Sequence, residues 1–313
     1  MSELRDALEE YLALRRSLGT QLEKSGSQLL DFADFAQSQG AEYVTTDLAL
    51  RWAKHNPNAQ PATCARRLGM VRIFAKWCSA IDPRTEVPPE GILPHRFRRK
   101  PPYIYSDEEI EKIIRAAQML PSPKGLRAKT YSTIFSLLAV TGMRVSEVVA
   151  LEREDVDLQE GILIIRKTKF GKSRFVPIHQ TTKKALEDYA GKRDRVLPQL
   201  TSSGFFISEC GTRIGTGNVR YNFAKTSQNI GLRTPAKGHG HGPRLHDMRH
   251  RFAVRTLIDW YRSGLNVERE ISKLSTYLGH VHVNDTYWYL EAIPELLQLA
   301  TDRMVDYRKE DGV

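Results

Sequence analysis

Along the first ninety residues apolar groups recur every three to four positions, in ALEEYLALRRSLG and again in LLDFADFAQSQG, the spacing of helices that each bury one stripe. A third helix is expected from about Ala62 to Ala80. At about 100° per residue its Val71, Phe74, Ala75, Trp77 and Cys78 fall within one broad face, with Arg72 and Lys76 together in the gap opposite. One face packs, and the other stays available to phosphates or to water.

The pattern breaks at PPEGILPHRFRRKPPY, residues 88–103, whose prolines keep the chain extended and deny it a packed helix. The stretch reads as a connection between domains, and it carries Arg96, Arg98, Arg99 and Lys100. A new helix opens at SDEEIEKII, with Ser106 as N-cap, Glu109 completing a capping box, and acidic groups at the positive end of the helix dipole. Further on, TYSTIFSLLAV predicts a buried helix that stops at Thr141-Gly142. GILIIRKTKFGKSRFVPI, 161–178, alternates into two short strands around a turn containing Gly171, a β-hairpin. Helices follow at about 180–193, 217–230, 246–263 and 267–278. The expected chain is therefore mainly α with one small sheet. It divides into a helical domain over 1–90, a basic proline-rich linker over 91–105 and a second domain over 106–313.

With 313 residues the chain is long enough for two cores. Its apolar runs are too short to span a membrane, and the acidic start SELRDALEE is unlike a signal peptide, so a cytoplasmic protein with no membrane partner is expected. Three cysteines, Cys64, Cys78 and Cys210, without C-x-x-C spacing disfavour a disulfide framework and a zinc ribbon. Charge changes the picture more. The net +10 is uneven: residues 1–50 hold four basic and nine acidic groups, residues 51–100 eleven and three. A concentrated basic block suits a polyanion, because each phosphate neutralised releases counterions. Arg66, Arg72 and Lys76, with the linker cations Arg96, Arg98, Arg99 and Lys100, are the candidate DNA-binding residues; a solvated charged face is the plainer reading of the same pattern.

Two stretches carry candidate chemistry. In TGMRVSEVVAL, Arg144 opens a helix just after a glycine turn, beside free N–H groups and the positive dipole end, an arrangement that wants an anion. In RLHDMRHRFAVRTL, His246 and Arg249 share a helix face, a pairing in which the guanidinium grips phosphate oxygens and the imidazole handles a proton. A metal site competes for the histidines, since His246 and His250 are four apart with His239, His241, His280 and His282 elsewhere. That reading lacks the acidic partner of H-E-x-x-H.

R-x-S-E after a T-G turn, a hairpin lysine, H-x-x-R, L-G-H and a tyrosine nine residues later, in that order, resemble the catalytic domain of the tyrosine recombinase/integrase family, which includes phage integrases, Cre-like and Xer enzymes. The resemblance covers roughly 104–300. It implies an α+β catalytic domain preceded by a helical, SAM-like core-binding domain that clamps DNA, and a C-terminal oligomerisation helix. Arg144 would be the first catalytic arginine and His246 with Arg249 the histidine-arginine pair. Lys169 would be the hairpin lysine, with Lys167 and Lys172 as neighbours that could take its place. Glu147 and Asp247 match supporting acids. His280 belongs to L-G-H, and the family spacing from it selects Tyr289 over Tyr287 as nucleophile; the two are about 200° apart on a helix, so one alone can face the site. Tyr289-Leu290-Glu291 departs from the common Y-x-H ending.

A phenol ionises near pH 10, so cations must ease its approach to phosphate. The resemblance implies that Arg144 and Arg249 hold non-bridging oxygens, His280 donates to the phosphate, His246 manages the tyrosine proton and Lys169 protonates the leaving 5′ oxygen, with no metal or nucleotide cofactor. The implied activity is site-specific cutting and rejoining of double-stranded DNA through a 3′-phosphotyrosyl link, by a dimer to tetramer on DNA, with accessory DNA-bending or partner recombinase proteins possible. WYLEAIPEL resembles mobile-element integrases more than chromosome-resolving Xer enzymes. The rival readings are a type IB topoisomerase, a DNA-binding regulator without catalysis and a metal-dependent nuclease.

Overall fold

The computed structural model describes residues 3–93, 101–166, 173–235 and 242–310, with the backbone alone for 291–292 and 304–310. The chain divides into two compact units, Met1–Lys100 and Pro101–Val313. Among the described residues no helix is long and apolar enough to cross a membrane.

The helices among the described residues of the first unit are α1 (Glu3–Ser17), α2 (Glu23–Ser38), α3 (Thr46–Lys54) and α4 (Pro61–Cys78). Their apolar stripes meet in one core of Leu8, Phe32, Trp52, Leu68 and Phe74, all buried. Trp52 packs edge-on to Phe32 at 5.3 Å, and the Arg67 guanidinium lies over the Trp52 ring at 4.0 Å. Proline at the first position of α4 begins the helix one residue earlier than the periodicity suggested. Val71, Phe74, Ala75 and Cys78 are buried as expected, and Arg66 and Lys76 are exposed. Arg72 is half-buried: it donates from Nε to the Pro88 carbonyl at 2.7 Å and from a terminal nitrogen to that of Pro89 at 2.8 Å. It ties α4 to the following chain, a long-range contact that helical periodicity does not reveal. Arg96, Arg98, Arg99 and Lys100 lie outside the described residues.

The second unit is helical around a small sheet. Its helices are α5 (Asp107–Gln118), α6 (Leu126–Thr141), α7 (Val145–Ala150), α8 (Gln180–Val196), α9 (Thr216–Asn229), α10 (Asp247–Arg262), α11 (Val267–Leu278), α12 (Asn284–Ala292) and α13 (Pro294–Glu310). The capping box that starts α5 is present, Glu109 N–H donating to Ser106 Oγ at 3.1 Å and Ser106 N–H to Glu109 at 2.9 Å. The sheet is antiparallel in the order β1 (Val156–Asp157), β2 (Ile162–Ile165), β3 (Arg174–Pro177), with Ile162 opposite Pro177 and Ile165 opposite Arg174. The hairpin expected over 161–178 is thus β2 and β3, and the short β1 is an addition. Leu163 and Ile165 point into the core while Ile162 and Ile164 are half-buried, the period-two alternation of a half-buried strand. One core gathers around Phe135, Tyr189 and Phe206; another joins α10 to α13 through Leu257, Leu274, Tyr289 and Leu296. The apolar tail after Tyr289 therefore packs in this chain against its own α10, where Arg262 also pairs with Glu295 at 2.9 Å.

Candidate active site

Two glycines shape the floor of the site. Gly142 ends α6 with φ +61°, and a Cβ there would come within 2.7 Å of the Phe252 ring, so no side chain fits between α6 and α10. Gly279 ends α11 with φ +67°, and a Cβ there would meet the Arg174 guanidinium at 2.8 Å. These two left-handed ends turn backbone carbonyls toward a common point, where the arginines gather.

Arg249 is buried, 2% exposed, and donates to the Gly142 carbonyl at 2.9 Å and the Leu278 carbonyl at 2.6 Å. Arg144 precedes α7 and donates to the Gly279 carbonyl at 3.0 Å and to Glu147 at 2.8 Å. The anion wanted at this helix start is thus supplied in part by the protein. Glu147 is shared: Arg174, on β3, grips both its oxygens at 3.0 and 2.8 Å and also donates to the Tyr277 carbonyl at 2.8 Å. Burial alone would raise the Glu147 pKa, but the hydrogen bonds and charge of Arg174, joined by those of Arg144, outweigh it and hold the carboxyl at about 2. Burial, then the Arg144 charge, pushes Arg249 down to about 10, still protonated at neutral pH.

The histidines are placed differently. His246 stands exposed just before α10, without a capping hydrogen bond from its side chain, and faces a pocket of about 660 Å³ lined also by Arg144, Arg220, Tyr221, Arg233 and Arg244. Crowding by the protein, then the Arg249 charge, pushes its pKa down to about 4, so the ring is neutral at pH 7. His280 Nδ1 lies 2.7 Å from the hydroxyl of Thr286, fully buried on α12 and one turn before Tyr289. Tyr289 is 2% exposed, and its ring stacks toward His280 with centroids 6.5 Å apart. It is near enough to Arg249 to act on that guanidinium's charge. Its hydroxyl meets His250 Nδ1 at 3.1 Å. Tyr287, on the same helix, is 39% exposed.

The structure therefore brings Arg144, His246, Arg249, His280 and Tyr289 into one neighbourhood built by α7, α10, α11 and α12. Lys169, with Lys167 and Lys172, lies outside the described residues. Among the described residues no three His, Cys, Asp or Glu side chains come together as a metal site; His239 and His241 lie outside them. Arg174, Thr286 and the pocket cations Arg220, Arg233 and Arg244 do not stand out in the sequence, and His250 stands out there only as a possible metal partner of His246. One signal was available: Arg220 and Tyr221 stand next to Val219 and Phe223, which bury, so the polar face of α9 was readable from its period. Chemically the arrangement offers fixed cations for a phosphate and a buried phenol beside them.

Residues 104–295 match the model of the phage integrase family. A putative integrase/recombinase of Sinorhizobium fredii, y4rB, is 45% identical over 315 residues, covering 99% of both chains. A XerC tyrosine recombinase of Serratia marcescens is 29% identical, covering 91% of this chain and 88% of its own. Among solved structures, the Tn1549 transposon integrase in complex with transposon right end DNA superimposes with a TM-score of 0.65 at 14% identity, over 97% of this chain and all of that one. XerH recombinase bound to its difH substrate superimposes with a TM-score of 0.62 at 16% identity, over 89% and 77%. At such identities the structures establish the fold, mainly helical with a small antiparallel sheet, while the family rests on the sequence matches. The chain belongs to the phage integrase family of tyrosine recombinases.

Proposed function

We propose that this protein is a site-specific DNA recombinase that cuts and rejoins double-stranded DNA through a 3′-phosphotyrosyl link to Tyr289. The observation that carries the reading is the burial of the Tyr289 phenol beside Arg249 and His280, while Tyr287 points outward. Arg144 and Arg249 face the scissile phosphate with guanidiniums already oriented by carbonyls, so little reorganisation accompanies the build-up of charge. His280, its Nδ1 turned to Thr286, addresses the phosphate through Nε2, and His246 adds a neutral hydrogen-bond donor from the pocket side. Attack breaks the Tyr289 Oη–H bond, the proton passing to a neighbouring imidazole, forms the Oη–P bond and breaks the bond to the 5′ oxygen, which takes a proton from Lys169. The 5′-hydroxyl of a second strand then reverses the step and seals the joint.

The DNA-bound relatives and the cations of the α9 pocket favour DNA as substrate, with Arg220, Arg233 and Arg244 along its backbone. The first unit, with Arg66 and Lys76 exposed on α4, serves as the core-binding domain, joined through Arg96, Arg98, Arg99 and Lys100. Assembly on DNA is as a homo-oligomer, as the λ integrase dimer on its core site suggests. The test uses nicked suicide duplexes made from DNA flanking the gene, in chelator, scored for protein–DNA adduct on a denaturing gel. Wild type and Tyr287→Phe should form the adduct and Tyr289→Phe should not. Adduct formation by Tyr289→Phe, or equal cleavage of unrelated supercoiled DNA, would overturn the reading.

A further inference from the structure

His250 follows Arg249 directly, and its side chain turns from the phosphate floor toward α12. Its Nδ1 stands 3.1 Å from the Tyr289 hydroxyl, and its Nε2 lies 4.0 Å from Asp247 Oδ1, an electrostatic rather than a hydrogen-bonding distance. Asp247 is buried and fixed by Arg244, which donates its backbone N–H at 2.7 Å and its guanidinium at 3.1 Å. The His246 ring meets the His250 ring edge-on at 4.9 Å, and Trp288 covers it at 5.6 Å. His250 itself is 7% exposed. The charged or titratable groups that face it in these contacts are His246 and Asp247 from α10 and Tyr289 from α12; Arg251, next in sequence, turns to the Tyr105 carbonyl and Asp107.

We propose that His250, backed by Asp247, is the base that takes the Tyr289 proton, making it a catalytic residue of the cleavage step. This rests on Tyr289 as nucleophile. It transfers to His250 the proton-handling role expected of His246, because it is the His250 ring that meets the Tyr289 hydroxyl, while His246 is exposed at the pocket. His250 carries its resting proton on Nε2, toward Asp247, and accepts the phenol hydrogen bond at Nδ1. In the step the Oη–H bond breaks and the proton goes to Nδ1. The oxygen's electron pair forms the bond to phosphorus, and the 5′ oxygen leaves with its own pair and takes up a proton from the acid. The imidazolium so formed faces the Asp247 carboxylate. In the sealing step the proton returns from Nδ1 to Oη as tyrosine leaves.

A base and a mere tether for a buried tyrosine can be told apart. In His250→Asn the amide oxygen sits where Nδ1 was, so it still accepts the phenol hydrogen bond but takes no proton. Single-turnover adduct formation on nicked duplexes should fall about 10²–10³-fold in His250→Asn and in His250→Gln, with DNA binding unchanged within about threefold. Replacing Tyr289 by trifluorotyrosine, whose phenol ionises near neutral pH, should recover at least about tenfold in the His250→Asn background and nothing comparable in Arg249→Lys, because an acidic phenol needs less help from a base. A wild-type rate in either His250 variant, or a loss that trifluorotyrosine leaves untouched, overturns the proposal. Tyr289→Phe run alongside separates the two levels. Adduct in that variant removes the nucleophile itself, whereas its absence together with full activity of His250→Asn removes only the base.

Discussion

Arg249 in the second unit and Arg72 in the first are held in the same manner, each guanidinium bridging two backbone carbonyls. Arg249 joins Gly142 to Leu278, and Arg72 joins Pro88 to Pro89. The difference lies around them. Arg249 is buried, has Arg144 close by and is pushed down to about 10, while Arg72 is half-exposed on the surface of α4. Carbonyls fix a guanidinium without cancelling its charge, and two of its five N–H groups suffice for that. In the buried case the result is a preset cation whose attraction grows in a low dielectric; at the surface it is a staple for the chain leaving α4. The same local chemistry thus does different things according to its neighbours and solvent.

The largest effect is expected at Arg249. Arg249→Lys keeps the charge but loses the planar fork that reaches two carbonyls at once. Suicide-duplex cleavage should fall about 10²–10³-fold while filter binding of the same DNA changes less than about tenfold. Parallel losses in both assays would mean that Arg249 only holds the fold.

Glu147 comes next, because it is the anion that lets Arg144 and Arg174 lie together. Its folded pKa of about 2 is below the ordinary 4.5, so the stability it contributes is complete above about pH 4.5 and disappears as pH falls toward 2. Glu147→Gln should cost about 3 kcal/mol in urea unfolding at pH 7. The gap between variant and wild type should narrow steadily from pH 4.5 downward. A gap independent of pH would show that the carboxylate charge is not what joins the arginines.

How much of this could be read in advance follows the range of the contacts. The Ser106/Glu109 box, the β2–β3 hairpin, the stop at Gly142 and the apolar face of α4 are set by neighbours within one or two turns, and the sequence pattern carried them. The three-residue spacing of His246 and Arg249 placed both at the start of one helix for the same reason. Glu147 is 27 residues from Arg174, and Arg249 is 29 from Leu278, so no periodicity connects them. His250 was visible only as the i+4 partner of His246, which suggested a metal pair. What gives it a different part is a tyrosine 39 residues away. Arg72 illustrates the same limit on a surface, since its helical position was right and its carbonyl partners, 16 and 17 residues on, were out of reach of the pattern.

The smallest effects are expected on α4, where the contrast between a fixed and an exposed cation can be measured within one helix. Lys76 is exposed and Arg72 is engaged with Pro88 and Pro89. If this face follows a DNA backbone, Lys76→Ala should lower the slope of log affinity against log salt by about one, the loss of a single phosphate contact. Arg72→Ala should leave that slope unchanged and instead cost about 1 kcal/mol of stability, the net worth of hydrogen bonds to a charged donor at a partly wet site. Should Arg72→Ala reduce the slope as much as Lys76→Ala does, the two carbonyls must release the guanidinium when DNA arrives. Arg72 would then belong with Arg249 among the preset cations, and burial would no longer be what separates the two regions.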